Sequence, residues 1–254
     1  MDYNKLHCDW AMQHRPIRGK TVLVVGCNTG LDCKSFIDAG AKEVHGLDVD
    51  PGIGRDYQHR QVRYFRESAE KMSFNDNTYD LVFCFATMEH IPDIHAAFGE
   101  MARVTTLGGV IYSVASPLWN SRHGHHYPQY FSAFPWAHLR LDQERVEEYL
   151  TTNMIEIAPE HIDARTVARY MFDPMNFNRA ASADYVKACS GLPDFDTVRN
   201  DLDLEPEGGV EEEILRECEA KGYSSSELRA VTHTYIGRKR RRGLVYRLAS
   251  MLGL

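Results

Sequence analysis

The sequence predicts an α/β fold built on a doubly wound, Rossmann-like parallel sheet. Three observations support this fold. Short apolar runs alternate with helical patterns over about 95 residues, which is typical of βα units. The first apolar run, 21–25, ends in a loop that begins at Gly26 and closes at Gly30. The second run ends at Asp48, and in open parallel sheets such strand ends line the crevice that accepts a ligand.

Composition fits a globular protein in a reducing compartment. The 254 residues are 43% hydrophobic and 26% charged, and no apolar run approaches the roughly 20 residues of a membrane span. The N-terminus does not resemble a signal peptide, and the six cysteines include no Cys-x-x-Cys pair. The net charge is −7 although residues 238–254 contain no acid, so the rest of the chain is strongly acidic. An acidic body repels phosphate backbones, and we expect no nucleic-acid partner.

The elements of the first half follow from periodicity and turn residues. Residues 1–19 form an N-terminal helical segment in which Trp10 and Met12 are predicted packing anchors. Residues 67–78 are turn-rich, and the run 80–85 is apolar throughout, as buried parallel strands are. The patterns predict strands at 21–25, 43–48, 62–65, 80–85 and 108–114, and helices at 31–39, 51–59 and 95–105.

The alternation of strand and helix patterns stops at Pro117, where a segment rich in histidine and aromatic residues begins. We interpret residues 117–210 as an insertion over the strand ends, a lid that contacts substrate, with helices at 142–150 and 161–171. Residues 194–219 are acidic and predict a solvated loop running into a helix at 211–221. Gly222 caps that helix, and 227–236 alternates like a last strand, so 211–238 completes the core. Residues 239–254 form a basic amphipathic tail.

The glycine loop argues against a dinucleotide cofactor. A Gly-x-Gly-x-x-Gly fingerprint would need glycine at Asn28 and Leu31, where a pyrophosphate approaches the helix N-terminus. S-adenosylmethionine has no pyrophosphate. It needs only an acceptor for its ribose, a slot for adenine and polar groups for its amino-acid end. An NAD-dependent enzyme is therefore disfavoured.

Several further motifs follow in order. Ser68-Ala-Glu70 precedes the strand 80–85, and Ala86-Thr-Met-Glu-His90 follows it; Glu100, Arg103 and Gly108-Gly109 come later. With these motifs, residues 20–115 resemble the class I S-adenosylmethionine-dependent methyltransferases. The closest resemblance is to the type 11 methyltransferase domain of quinone-biosynthesis and small-molecule enzymes. The resemblance returns weakly at 211–238. It implies a seven-stranded sheet in which 20–116 is the cofactor-binding core.

Carried over by position, the resemblance implies a set of cofactor contacts. The glycine loop faces the methionine part, Asp48 holds the ribose, Val49 flanks the adenine, and Ala69 and Glu70 lie at its edge. The chain departs from the family at Val24, Asn28 and Ser68, where aspartate, glycine and aspartate are common. The residues predicted to bind the cofactor are Gly26, Cys27, Asn28, Gly30, Asp48, Val49, Ser68, Ala69, Glu70, Phe85 and Ala86.

A hydroxyl acceptor needs a base, and histidine, with an ordinary pKa of about 6.5, suits that task near neutral pH. The candidates are His125 and His126, which lie in the middle of the lid, and His90, which follows an acid at a strand end. His123 and His138 are further lid histidines, whereas for His90 a packing role in the wall is the favoured interpretation. A metal on the 123–126 histidines is disfavoured because no acid or cysteine stands at ligand spacing nearby.

We expect transfer of a methyl group from S-adenosylmethionine to a small molecule, by O-methylation of a sugar, lipid-linked or polyketide-like acceptor. The alternative is a degenerate methyltransferase fold that serves as a binding scaffold, motivated by the three departures. The composition favours a cytoplasmic protein. The basic segment 238–254 indicates either a docked structural helix or contact with an acidic partner or an anionic membrane at its inner face.

Overall fold

The computed structural model describes residues 2–206 and 212–241. Its centre is one sheet of seven strands in the order β3-β2-β1-β4-β5-β7-β6. The order confirms the doubly wound topology. The strands are β1 (Thr21–Val25), β2 (Glu43–Asp48), β3 (Val62–Arg66), β4 (Tyr79–Phe85), β5 (Thr105–Ala115), β6 (Phe195–Leu204) and β7 (Ala230–Lys239).

Strands β1 to β5 are parallel, so their carboxyl ends meet at one edge. Strand β7 pairs antiparallel with both β5 and β6. The central strands are buried on both faces, which explains their continuous apolar sequences. The loops at the carboxyl edge therefore share one crevice.

Helices cover the sheet on both faces. Helices α1 and α2 share a core with one face of β1, β4 and β5, while α3 and α7 pack with the other. Several helices begin at an acidic cap, such as Asp93, which accepts the Ala96 N–H at the start of α3. The helices are α1 (Tyr3–His14), α2 (Leu31–Asp38), α3 (Ile94–Val104), α4 (Ala137–Arg140), α5 (Gln143–Thr152), α6 (Ala164–Phe172), α7 (Ser182–Cys189), α8 (Glu212–Ala220) and α9 (Ser225–Arg229).

The lid segment, residues 117–181, has a small core of its own. Phe131, Val146 and Met171 are fully buried where α5 and α6 pack against the preceding loop. Helix α7 belongs instead to the main body, because it packs against α3, β6 and β7. The predicted insertion therefore contains two elements of the core, α7 and β6.

Three predicted local structures are wrong. Residues 51–56 form turns instead of a helix, because their backbone supports the glycine loop: Gly54 N–H donates to Asn28 O at 2.8 Å. Within the predicted acidic loop, 195–204 is strand β6. Trp10 is 42% exposed, and Cys8 and Ala11 are the buried anchors of α1.

Two cations assigned to the basic tail belong to the sheet. Lys239 Nζ donates to the carbonyls of Ala102 and Thr105, at 2.7 and 2.8 Å, where α3 passes into β5. Arg238 donates to His14 O at 2.7 Å. Residues 242–254, the remainder of the predicted tail, lie outside the described residues. Within the described ranges, no helix is both long and apolar enough to cross a membrane.

Candidate cofactor-binding site

The loop after β1 depends on glycine at both ends. Gly26 has φ +72°, and a Cβ there would lie 2.0 Å from Thr87 Oγ1. Gly30 has φ +98° and precedes α2, and a Cβ there would lie 2.3 Å from Tyr64 Oη. Only glycine avoids both the backbone strain and the collision. The sequence thus sets a tight loop at the carboxyl edge of β1.

Asn28 replaces the glycine that is common at its position, and the loop accommodates it. Its φ is +44°, in the left-handed region that asparagine tolerates better than most residues. Its backbone N–H donates to Asp48 Oδ2 at 2.8 Å, which joins the loop after β1 to the end of β2. This departure from the family pattern therefore leaves the loop intact.

Asp48 stands at the end of β2 with both carboxylate oxygens in use. Oδ2 accepts the Asn28 N–H, and Oδ1 accepts the Asp50 N–H at 2.9 Å. A carboxylate oxygen has a second lone pair, so each remains able to accept a hydroxyl. The two backbone bonds orient the carboxylate before any ligand arrives.

The loop after β3 is held by Ser68 and Glu70. Ser68 Oγ donates to Glu70 Oε2 at 2.9 Å and accepts the Glu70 N–H at 3.1 Å. Glu70 Oε1 accepts the Asp93 N–H at 2.7 Å, which connects this loop to the start of α3. Serine at position 68 therefore has a defined role in shaping this wall.

These loops and the lid segment enclose a cavity of about 640 Å³. Eight predicted cofactor residues line it: Gly26, Asn28, Asp48, Val49, Ser68, Ala69, Glu70 and Ala86. The sequence predicted a lid but did not identify the residues with which it forms the opposite wall, which lie far along the chain. The additional lining residues are Val25, Leu47, Asp50, Glu67, Thr87, Ile91, Pro92, Tyr170, Met175 and Asn176.

Among the described lining residues, three predicted cofactor contacts do not appear: Cys27, Gly30 and Phe85. Cys27 is buried behind the loop, where a hydrogen bond with Cys33 and burial raise its pKa. Gly30 starts α2 instead of facing the cavity. The Phe85 ring points to the opposite side of β4 and stacks on His7, with centroids 4.1 Å apart. It lines a second cavity, about 750 Å³, between α1 and β7.

His90 is the predicted catalytic histidine that lines the cavity. Its Nδ1–H donates to Asn176 O at 2.6 Å, and burial lowers its pKa. His126 lies beside it, with ring centroids 5.0 Å apart, and burial lowers its pKa to about 4. Glu89 adjoins both; it is 2% exposed, and burial raises its pKa to about 8. The three groups form a buried polar cluster at one wall of the cavity.

The structure corrects the assignment of His125. Its side chain is fully buried in the lid segment, and its Nδ1 accepts the Tyr127 N–H at 3.0 Å. It packs edge-on against Phe131, and burial lowers its pKa to about 2. His138 is likewise buried and donates to Trp119 O. Both histidines are structural residues of the lid.

Comparison with known proteins identifies the core. Residues 23–113 match the family model described as a methyltransferase domain. The matched part is thus similar to a methyltransferase domain, and the seven-stranded sheet has the class I methyltransferase fold. The matched part contains the glycine loop, Asp48, the Ser68–Glu70 loop and the Glu89–His90 pair, which together make up most of the cavity. The lid segment lies beyond it.

Two curated relatives and one solved structure illustrate the similarity. The methyltransferase domain is similar to the ubiquinone biosynthesis O-methyltransferase of Aromatoleum aromaticum, with 30% identity over 118 residues covering 44% of this chain and 50% of the relative. An uncharacterized methyltransferase of Mycobacteroides abscessus is 32% identical over 117 residues, covering 43% of this chain and 44% of the relative. The chain thus spans about half the length of the curated relatives it matches.

The fold similarity extends further than the sequence similarity. An S-adenosylmethionine dependent methyltransferase from Mesorhizobium loti superposes with a TM-score of 0.55 at 14% identity, covering 91% of this chain and 98% of the other. With 91% of the chain covered, this likeness extends beyond the matched residues 23–113. The similarity of fold therefore covers most of the chain.

Proposed function

We propose that the chain binds S-adenosylmethionine in the 640 Å³ cavity and transfers its methyl group to a small molecule. The observation that carries the proposal is the pre-oriented Asp48 carboxylate between two backbone N–H groups. It offers one acceptor to each of two ribose hydroxyls. The loop at Gly26 lets the amino-acid part approach the backbone, and Ala69 and Glu70 border the space left for adenine.

The main contribution of the protein is to position the reactants, because the sulfonium of the cofactor already activates the methyl group. The cavity must hold the acceptor in line with the S–CH₃ bond, and positioning of this kind contributes about 7–11 kcal/mol. Tyr170, Met175 and Asn176 of the lid segment close the side opposite Asp48. These residues border the space in which an acceptor would meet the cofactor.

An oxygen acceptor is the proposed substrate group. The name of the Aromatoleum relative, a ubiquinone biosynthesis O-methyltransferase, supports oxygen as the acceptor atom. The aromatic lid segment suits a sugar ring, a polyketide-like ring or a lipid-linked acceptor, because aromatic faces pack on such rings. Of the three predicted catalytic histidines, His90 lines the cavity and His126 contacts the His90 ring, which supports a role for this pair beside the acceptor.

Isothermal calorimetry distinguishes the candidate functions. We expect wild-type protein to bind S-adenosylmethionine and S-adenosylhomocysteine with micromolar affinity and to ignore NAD. A folded protein that binds neither S-adenosylmethionine nor S-adenosylhomocysteine would contradict the proposal and favour the scaffold alternative. Binding of NAD alone would indicate an oxidoreductase.

We also propose that the basic segment after β7 contacts an anionic membrane or an acidic partner. The proposal excludes Arg238 and Lys239, whose cations bind backbone carbonyls of α1 and α3. The remaining cations are Arg240, Arg241, Arg242 and Arg247. Each basic residue near an anionic surface contributes about 1 kcal/mol, so four suffice for weak association at low salt.

A further inference from the structure

Three potential metal ligands converge at the wall of the cofactor cavity. Glu89 and His90 follow β4, and His126 comes from the lid segment. One ligand atom from each residue lies within 4.8 Å of the others. Four-coordinate zinc with ligands at about 2.0–2.2 Å brings ligand atoms about 3.4 Å apart, so small side-chain rotations suffice to close the site.

Backbone groups already orient two of the three ligands. His90 Nδ1–H donates to Asn176 O at 2.6 Å, which fixes its tautomer and leaves the lone pair on Nε2. Glu89 Oε1 accepts the Ser116 N–H at 3.3 Å, which leaves Oε2 available. Metal-binding histidines typically donate their other ring N–H to a carbonyl or carboxylate in this way.

Two potential ligand atoms of this cluster also lack a hydrogen-bond partner among the described residues. Glu89 Oε2 and His126 Nε2 are buried and have no hydrogen-bond partner in the described structure. Glu89 itself is only 2% exposed. A buried polar atom without a partner costs about 1–3 kcal/mol, and more when charged. One cation between these atoms would satisfy both.

We propose that Glu89, His90 and His126 bind one divalent transition-metal ion, with Zn²⁺ as the best match. Two imidazoles and one carboxylate suit Zn²⁺ and related first-row ions, whereas Mg²⁺ and Ca²⁺ prefer oxygen ligands throughout. Three protein ligands leave a coordination position open, as in catalytic zinc sites. Because His90 lines the cavity, that position faces the space assigned to the acceptor.

The functional consequence rests on the proposed methyl transfer. A metal ion at this wall would bind the acceptor hydroxyl and lower its pKa, so that the hydroxyl loses its proton to solvent before it attacks the methyl carbon. The oxygen then forms a bond to carbon as the S–CH₃ bond breaks, and its electrons remain on the sulfur of S-adenosylhomocysteine. The ion is neither oxidised nor reduced.

The test measures Zn²⁺ and Co²⁺ binding to full-length protein stripped with chelator. We expect one equivalent of either metal, and a visible Co²⁺ spectrum without the near-ultraviolet band of thiolate ligation. Glu89→Gln and His126→Gln should each weaken binding about 100-fold or more. His123→Ala is the matched control, since it removes a nearby lid histidine outside the cluster, and it should bind like wild type.

Circular dichroism first establishes that each variant is folded. If Glu89→Gln misfolds, the test depends on His126→Gln alone, because glutamine fills much of the volume of the histidine that it replaces. Two outcomes would overturn the metal proposal. One is that wild type, His126→Gln and Glu89→Gln all bind one equivalent with the same affinity. The other is that folded wild-type protein binds no metal. S-adenosylhomocysteine calorimetry on the same samples separates the two proposals. Metal binding without cofactor binding contradicts methyl transfer alone, and the reverse contradicts the metal site alone.

Discussion

The Asp48 carboxylate accepts the backbone N–H of Asn28 at 2.8 Å, which links the ends of two neighbouring strands. The bond makes Asp48 both a proposed ligand of the ribose and a clamp on the loop that would contact the methionine part. A change at Asp48 therefore affects two sides of the cavity together.

Replacing Asp48 with alanine should lower S-adenosylmethionine affinity at least tenfold. Hydrogen bonds to a charged acceptor contribute about 1.5–3 kcal/mol each, and the substitution removes the proposed ribose bonds and the loop bond together. Calorimetry of the purified variant measures the loss. Asp38→Asn, on the exposed outer end of α2, provides a control with the same charge change. Equal affinity in Asp48→Ala and wild type would exclude Asp48 from the site.

Gly26→Ala should destabilise the protein more than Gly19→Ala. Both glycines have φ near +70°, so both substitutions introduce backbone strain of about 1–2 kcal/mol. A Cβ at Gly19 meets nothing within 4 Å, whereas a Cβ at Gly26 overlaps the Thr87 side chain. The difference in Tm between the two variants therefore measures the effect of the overlap with Thr87. We expect a clearly lower Tm for Gly26→Ala and loss of cofactor binding in that variant only; matching Tm values would show that the loop relaxes freely.

Acidification should destabilise the fold through His233. This fully buried side chain donates from Nε2 to Asn200 Oδ1, and burial lowers its pKa to about 4. Between pH 6.5 and 4 the unfolded chain binds a proton that folded His233 does not, so the free energy of unfolding decreases as pH falls. One such proton contributes a slope of about 1.4 kcal/mol per pH unit.

Urea unfolding at several pH values measures this slope. His233→Gln removes the titrating group. Between pH 4 and 6.5, we expect the slope of its free energy of unfolding against pH to be smaller by the contribution of about one proton. The comparison uses slopes, so an overall loss of stability in the variant does not affect it. Identical slopes in the two proteins would show that His233 is protonated in the folded state.

Lys239→Met should lower stability by about 1.5–3 kcal/mol, whereas Arg240→Met should change it little. Lys239 Nζ is a charged donor to the carbonyls of Ala102 and Thr105, which lose this partner on substitution. The Arg240 side chain is 57% exposed and lies 3.7 Å from the exposed Asp196. Such a pair contributes at most about 1 kcal/mol. Chemical denaturation of both variants measures the difference; equal losses would contradict the structural role of Lys239.

Deletion of residues 242–254 should reduce co-sedimentation with anionic vesicles and leave cofactor affinity unchanged. A deletion from 238 would instead damage β7 and confound the result. Vesicles of neutral lipid are the control, and association should weaken as salt rises. If the full chain ignores anionic vesicles at low salt, an acidic protein partner or a structural role remains for this segment.

The sequence was sufficient to locate the glycine loop and Asp48 at the carboxyl edge of the sheet, because both positions depend on local rules. A glycine pair after a buried strand and a carboxylate after the next strand lie at one edge in any parallel sheet. Cys27 and Phe85 do not line the cavity, because neighbouring residues of a strand or loop point to opposite sides. Phe85 faces α1, while Ala86, one position later, lines the cavity.

Longer-range features had no local signal. Asn176 binds His90 across 86 positions, and only the fold of the lid segment brings them together. Strand β6 was missed because its exposed face carries Asp196, Asp201 and Asp203, as edge strands commonly do. Acidic composition there indicated solvent exposure correctly, but not the pairing of the backbone.

The position of β7 between β5 and β6 determines the order in which the sheet can be completed. Among the described strands, β6 pairs with β7 and with no other, and β7 begins 26 residues after β6 ends. During synthesis, residues 195–204 therefore leave the ribosome before the strand that will hold them exists. Charged side chains on an edge strand, here Asp196, Asp201 and Asp203 with Arg199 between them, oppose pairing with other chains during this interval. The charge pattern that concealed the strand from sequence analysis thus opposes wrong pairing until β7 has been synthesised.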